Sequence, residues 1–281
     1  MFSGHHRPSS LLHMSSYALV DARTREYLPR IDSQRTKTLI SSDIDIAHTS
    51  KHRGKVRDVY TTDKFIVMVA TDRQSAFDRQ LASIPFKGQV LNQTSKWWFD
   101  KTSHIVPNHA LAFPHPNVTI GKKCEVFPVE FVMRGYLTGS TSTSIWTNYQ
   151  RGVRRYCGHT LPDGMVKNQR LWQNLLTPTT KDDSHDELIS AEEIIATGRM
   201  QQRDWEQCAK YAEELFAFSQ TVAAEKGLIL VDTKYEFGKD GSGNIVLVDE
   251  IQTPDSSRFW LADTYELRFN AGEVPKLIWD F

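Results

Sequence analysis

Hydrophobic positions recur along this chain with two spacings, and turn formers separate the runs. Val56 to Tyr60 and Phe65 to Ala70 are rich in β-branched and aromatic residues, with Thr61-Thr62-Asp63 between them, so a β-hairpin is predicted. Val90, Leu91, Thr94, Trp98 and Ile105 then follow mainly helical spacing, and Pro107 ends that run. The segment CEVFPVEFVM (124–133) is apolar and β-prone. Pro128 interrupts it, which predicts an edge, a bend or a hinge there, because proline cannot donate to a sheet ladder. Ser190-Ala-Glu-Glu193 predicts a capping box before a short helix ending at Gly198. A longer helix follows. Trp205, Cys208, Ala209, Ala212, Leu215, Phe216, Ser219, Val222 and Ala223 share one 3.6-period face, and Gly227 suits the position after its end. Leu228 to Phe237 and Asn244 to Ile251 are predicted strands of a second hairpin, joined by GKDGSGN.

Composition narrows the class. The 281 residues fit one large domain or about two ordinary ones. Apolar residues at 40% exclude general disorder, and 34 basic against 34 acidic side chains argue against a protein that coats a polyanion, so no nucleic-acid partner is expected. Cys124, Cys157 and Cys208 are too scattered for a disulfide framework, which points to reduced thiols in a cytoplasm-like compartment. No apolar run approaches the ~18 residues of a membrane-spanning helix, so no membrane partner is expected. Residues 1–49 read as a loose N-terminal arm, with a few transit-like features but no sustained amphipathic pattern.

The chemistry concentrates at strand ends. In VDTKYEF, Asp232, Lys234 and Glu236 alternate with hydrophobes, so period-two geometry puts all three charges on one face. The partner Ile245-Val-Leu-Val248 is wholly apolar before Asp249-Glu250, and charges entering such a sheet must be paired or bind a metal. Two readings fit equally: an internal Lys234–carboxylate network, or carboxylates gripping Mg²⁺ with Lys234 meeting a phosphate. Glu236 and Asp249 can share a metal only if the hairpin register sets them on one face. In Arg53-Gly54-Lys55-Val56-Arg57-Asp58, Gly54 lets backbone approach an anion, and Lys55 and Arg57 are predicted to share a strand face suited to a polyphosphate; a solvated basic edge is the alternative. Arg134-Gly-Tyr-Leu-Thr-Gly139-Ser140 could cradle a sugar phosphate, or form a polar loop before a helix. Thr253-Pro-Asp-Ser-Ser257-Arg258 can hold Ser257 and Arg258 beside the acidic strand end. Polar clusters spread this way suggest one composite cleft between two lobes.

Taken together, RGKVRDVY (53–60), ATDRQSAFDR (70–79), FKGQVLNQTSKWWF (86–99), FPVEFVMRGYLTGS (127–140), LTPTTKDDSHDE (176–187), LILVDTKYEFG (228–238) and LVDEIQTPDSSRFW (247–260) resemble the SAICAR synthetase family, its plant-type branch in particular. The resemblance implies an α+β, two-lobed, ATP-grasp-like fold. A β-rich N-terminal nucleotide-binding lobe would occupy residues 50–127, and a larger α/β lobe residues 128–281, shortened at its C-terminus relative to the family. It implies an ATP-dependent carboxylate–amine ligase of purine biosynthesis. Its substrates would be carboxyaminoimidazole ribonucleotide and L-aspartate, joined through an acyl phosphate to give SAICAR, ADP and phosphate.

Carried over by motif, Gly54, Lys55, Val56 and Arg57 would hold the ATP phosphates, with the stretch around Glu130 on adenine and Lys181 near the nucleotide. Glu236 and Asp249 would ligate Mg²⁺. Arg134, Ser140, Ser257 and Arg258 would grip the ribonucleotide, Asp78 would border the substrate, and Asp232 and Lys234 would line the reacting carboxylate as catalytic residues beside Lys181. A monomer or homodimer in the cytoplasm, with a plastid as the alternative, is implied. The competing readings are a truncated, catalytically incomplete Mg·ATP-binding member of the family and a small-molecule kinase.

Overall fold

The computed structural model describes residues 22–47, 50–76, 79–181 and 186–277. It is an α+β protein whose two principal sheets carry the chemistry on adjoining ends. An exposed helix, α1 (Ala22–Gln34), comes first. The small sheet holds β1 (Ser50–Arg53), β2 (Arg57–Thr61) and β3 (Phe65–Ala70), followed by a separate two-stranded ribbon, β4 (Arg73–Ala76) and β5 (Arg79–Ser83). Helix α2 (Lys87–Thr102) leads to β6 (Ala110–His115) and β7 (Val118–Lys122), which complete the small sheet in the order β1-β2-β3-β7-β6. The predicted first hairpin is present as β2 and β3, with Tyr60 opposite Val67.

Residues 39–46 correct the expectation of a loose arm. Leu39, Ile44 and Ile46 pack on the cluster of Tyr60, Val67 and Val69. Backbone and hydroxyl of Ser42 donate to Asp58 Oδ2 at 2.7 and 2.9 Å, and Leu39 N–H donates to Asp72 Oδ2 at 2.8 Å. The pattern Leu39-x4-Ile44-x-Ile46 is too irregular for a periodicity argument, yet it gives the strap an apolar face to bury.

After Lys122 the chain changes sheets. Strands β8 (Glu125–Val126) and β9 (Val129–Tyr136) flank Pro128, which therefore marks a break between two strands. A short helix α3 (Ile145–Gln150), the ribbon β10 (Arg155–Tyr156) and β11 (His159–Thr160), then β12 (Arg170–Leu176) and β13 (Thr179–Thr180) follow. Helix α4 (Ala191–Ala196) opens with the predicted capping box: Ser190 Oγ accepts from Glu193 N–H, and the Glu193 carboxylate accepts from Ser190 N–H at 2.8 Å. Helix α5 (Gln202–Ala224) precedes β14 (Leu228–Lys239), β15 (Ile245–Val248), β16 (Ser257–Leu261) and α6 (Ala262–Asn270).

The long strand β14 organises the second sheet, in the order β12-β9-β14-β15, with β8 and β16 also pairing β14 and β13 pairing β9. Seven of the predicted α5 face residues, Trp205 through Ala223, are buried against it. Phe131 stacks on Trp205 with ring centroids 5.2 Å apart, and Phe237 meets Phe131 edge-on at 5.1 Å. Each such fully buried side chain contributes about 1.5–3 kcal/mol. This core occupies one face of β9 and β14, and period two sends Glu130, Val132 and Arg134, with Asp232, Lys234 and Glu236, to the other. Among the described residues no helix is long and apolar enough to cross a membrane.

Candidate functional site

The open face of β9 and β14 carries a ladder of opposed charges. Lys234 Nζ donates to Glu130 Oε1 at 2.8 Å and to Glu236 Oε1 at 2.5 Å. Lys181 donates to the other oxygen of Glu236. Burial works to raise the Glu236 carboxyl, but Lys234 and Lys181 outweigh it and hold it down at about 2, so it is ionised at neutral pH. Burial would lower Lys234, and the two glutamates reverse that and hold it charged. Glu130 Oε2 also accepts from Thr179 Oγ1 at 2.9 Å, which ties β13 into the ladder. Asp186 lies within the field of Glu130, Lys234, Lys55 and Glu236. Burial, then Glu130, raises its carboxyl.

The turn between β1 and β2 corrects one expectation. Arg53 pairs with Asp58, and Gly54 N–H donates to Arg57 O at 2.8 Å, so Gly54, Lys55 and Val56 form a tight turn and Lys55 is not a strand neighbour of Arg57. A side chain at position 54 would put Cβ 3.2 Å from that same carbonyl. Lys55 is exposed beside the ladder, while Arg57 crosses to the other sheet and pairs with Asp249 and with Glu250 at 2.7 Å. Beneath the turn, Arg73 is 1% exposed and donates to Gly54 O, Lys55 O and Asp58 Oδ1 at 2.9, 3.2 and 2.9 Å. A buried guanidinium thus holds the turn's carbonyls from below, with the Lys55 side chain on the exposed side.

Register answers the question posed by the second hairpin. Glu236 sits opposite Val248, so strict alternation would turn Asp249 to the other face. Asp249 instead adopts φ 65°, leaves the strand there, and meets Arg57.

A second cluster lies further along β14. Arg258 Nε donates to Asp232 Oδ1 at 2.7 Å, a second N–H reaches the other oxygen, and Arg134 approaches the same carboxylate at 3.8 Å. Arg134 Nε donates to Thr177 Oγ1 at 2.8 Å. Gly139 has φ 103°, and a Cβ there would fall 2.4 Å from Ser144 Oγ and 3.4 Å from the Arg258 guanidinium. The Arg134–Ser140 loop and the Thr253–Arg258 turn therefore converge, with Ser140 exposed at the rim and Ser257 buried, sharing a hydrogen bond of 2.7 Å with Thr233 Oγ1. Lys87 of α2 reaches Asp255 at 2.5 Å and closes the cluster against the small sheet's helix. Asp232 thus joins the arginines, not Lys234. Asp78 lies outside the described residues.

The sequence reading overlooked several participants. Glu250 shares Arg57 with Asp249; Asp186, Thr177 and Thr179 lie in the 176–187 segment; Asp255, the partner of Lys87 in the 87–92 segment expected to border the substrate, lies in the 247–260 segment. Only adjacency to stronger motifs signalled them. His109 gave no signal at all.

A ladder of lysines and carboxylates on β9 and β14, two arginines gathered on Asp232 beside it and an ion pair to the second sheet define an α+β protein whose charged groups suit phosphorylated and carboxylated small molecules. A family profile described as SAICAR synthetase matches residues 50–277. The chain belongs to the SAICAR synthetase family. It is 60% identical over 228 residues, 81% of this chain and 73% of the relative, to phosphoribosylaminoimidazole-succinocarboxamide synthase of Legionella pneumophila strain Lens. It is also 60% identical over 229 residues, 82% and 67% of the two chains, to the chloroplastic enzyme of that name from Vigna aconitifolia. Among solved structures, SAICAR synthase from Saccharomyces cerevisiae complexed with SAICAR superposes with a TM-score of 0.70 at 32% identity, covering 81% of each chain. A SAICAR synthetase in complex with ADP gives 0.65 at 26% identity, covering 80% of this chain and 92% of that one.

Proposed function

We propose that this protein joins L-aspartate to the carboxylate of carboxyaminoimidazole ribonucleotide with consumption of ATP, forming SAICAR, ADP and phosphate. The observation that carries the reading is the adjacency, on one face of β9 and β14, of a lysine–carboxylate ladder and an arginine pair held by Asp232. The first suits a polyphosphate and the second a phosphorylated ribose. A solved relative contains ADP and another SAICAR.

A carboxylate is a poor acyl donor. Transfer of the γ-phosphoryl group to its oxygen gives an acyl phosphate and ADP; the aspartate amine then attacks the acyl carbon and expels phosphate. The protein's task is alignment and charge neutralisation. The Gly54–Arg57 turn offers backbone N–H groups, Lys55 and Arg57 to the ATP phosphates. The β8–β9 break before Glu130 offers main-chain groups to adenine. Lys181 and Lys234 stand where charge builds on the transferred group, and Arg134, Ser140, Ser257 and Arg258 receive the ribonucleotide phosphate.

The carboxylates fit a hard cation: Glu236 is held ionised, and both it and Asp249 are balanced by basic side chains that a divalent ion can replace. Among the described residues no group of three or more histidines, cysteines and carboxylates is placed to hold a metal ion, so phosphate oxygens and water would complete the shell. Mg²⁺ held there would neutralise phosphate charge. The three cysteines are free thiols, in keeping with a reducing compartment, cytoplasm or plastid stroma.

A coupled assay of ADP release, with mass spectrometry of the product, tests the reading. Aspartate-dependent ADP release and a succinocarboxamide product are expected; a folded protein that shows neither overturns it.

A further inference from the structure

His109 is 1% exposed, and neither ring nitrogen has a hydrogen-bond partner. Leaving such groups bare costs about 1–3 kcal/mol, so a position needing only an aromatic filler would be better served by phenylalanine. The fold nevertheless shapes itself to this ring. Its edge meets Phe99 with centroids 5.7 Å apart, and Gly121 faces it so closely that a Cβ there would fall 2.5 Å from Nδ1.

Its main chain links both sheets. His109 N–H donates to Leu247 O at 2.9 Å, and its carbonyl accepts from Lys122 N–H at 2.8 Å. It therefore sits where β15 meets the small sheet, two residues along β15 from Asp249. Burial, and then the charge of Arg57, holds the imidazole well below its ordinary range, at about 4, so it is neutral and one nitrogen is a free acceptor. Beside Phe99 lies a space of about 10 Å³ bordered by Arg57, Asn92, Ser95, Thr119, Asp249 and Glu250. It is about the size of one water and adjoins the Arg57 side chain.

We propose that His109 is a positioning residue for Arg57, accepting an Arg57 N–H when that side chain turns from Asp249 and Glu250 to a bound nucleotide. A guanidinium has five N–H donors, so two can meet phosphate while another is held from behind. The proposal rests on the nucleotide reading of Arg57 given above.

The test is the histidine-ring ¹⁵N spectrum of the full chain, titrated with Mg·ADP and assigned by loss of the signal in His109→Gln. The acceptor nitrogen of His109 is expected to lie at the unbonded position in free protein and to move upfield as nucleotide binds. Binding calorimetry with ATP supplies a second readout. His109→Phe is expected to keep or raise the melting temperature and weaken ATP about tenfold, or 1.4 kcal/mol, and His109→Gln, which keeps an acceptor, to recover most of it. Nucleotide binding with an unmoved His109 signal overturns the proposal even if His109→Phe fails to fold. Wild-type affinity in a folded His109→Phe protein does the same. Failure of the unsubstituted chain to bind any nucleotide would instead overturn the reading of the cleft, and this proposal with it.

Discussion

Arg57 and Asp249 stand 192 positions apart in the chain and are joined by an ion pair that couples the start of β2 in one sheet to the residue just past the end of β15 in the other. Both are largely withdrawn from solvent, at 16% and 25% exposure, so the pair should be measurable. A double-mutant cycle of Arg57→Ala and Asp249→Ala in urea denaturation is expected to show a coupling of about 1 kcal/mol. Strict additivity would mean that the two sheets are held together by other contacts.

Glu236→Gln tests the ladder. The amide keeps the shape and a hydrogen-bond acceptor but removes the charge that Lys181 and Lys234 share. Turnover should fall at least ~100-fold while circular dichroism stays native, because electrostatic groups at a phosphoryl-transfer site carry effects of that size. Unchanged ADP release would remove Glu236 from the machinery.

Asp232→Asn separates the two halves of the cleft. Arg258 and Arg134 lose the charge that orients them, so the KM for the ribonucleotide should rise about tenfold, as for the loss of one strong charge-assisted contact. The KM for ATP should hardly change, since the ladder around Lys234 does not include Asp232. A rise in both constants would place Asp232 with the reacting carboxylate.

Acid stability follows from His109. Its folded value of about 4 lies below the ordinary 6.5, so the unfolded chain binds the extra proton first. Stability from this residue is complete above pH ~6.5 and is lost as pH falls toward 4, by about 3 kcal/mol in all. Urea midpoints at pH 7 and 4.5 should therefore differ less in His109→Phe than in the unsubstituted protein.

Packing at the start of α2 supplies a structural control. A Cβ at Gly88 would lie 2.3 Å from Ala70 O and 2.7 Å from Asn117 Nδ2. Gly88→Ala should cost about 2 kcal/mol and lower the melting temperature by several degrees. An unshifted melting curve would mean that the helix can slide away from β3.

Periodicity made the local elements legible. The α5 face, the Ser190 capping box and both hairpins follow from spacing and turn chemistry, because burial of one face is a local instruction. The charge alternation in β14 likewise announced its shared face. The long-range partners stayed hidden. Nothing near Asp232 in the chain says that Arg258 holds it, and the turn angle at Asp249 depends on Arg57 from the other sheet. Lys55 was misplaced because one β-branched neighbour, Val56, made a turn look like a strand. The strap at residues 39–46 escaped because its instruction is an irregular set of three apolar residues and a serine, meaningful only beside Asp58 and Tyr60.

That strap lies ahead of the stretch the family profile recognises. The family match begins at residue 50, so a fragment cut there would contain every motif of the cleft. It would also strip the cover from Tyr60, Val67 and Val69 and leave Asp58 Oδ2 without Ser42. Arg73, which steadies the Gly54 turn, would lose Ile40 O as one of its acceptors. Side chains packed on the small sheet thus begin at Leu39, about a dozen residues earlier than the family match.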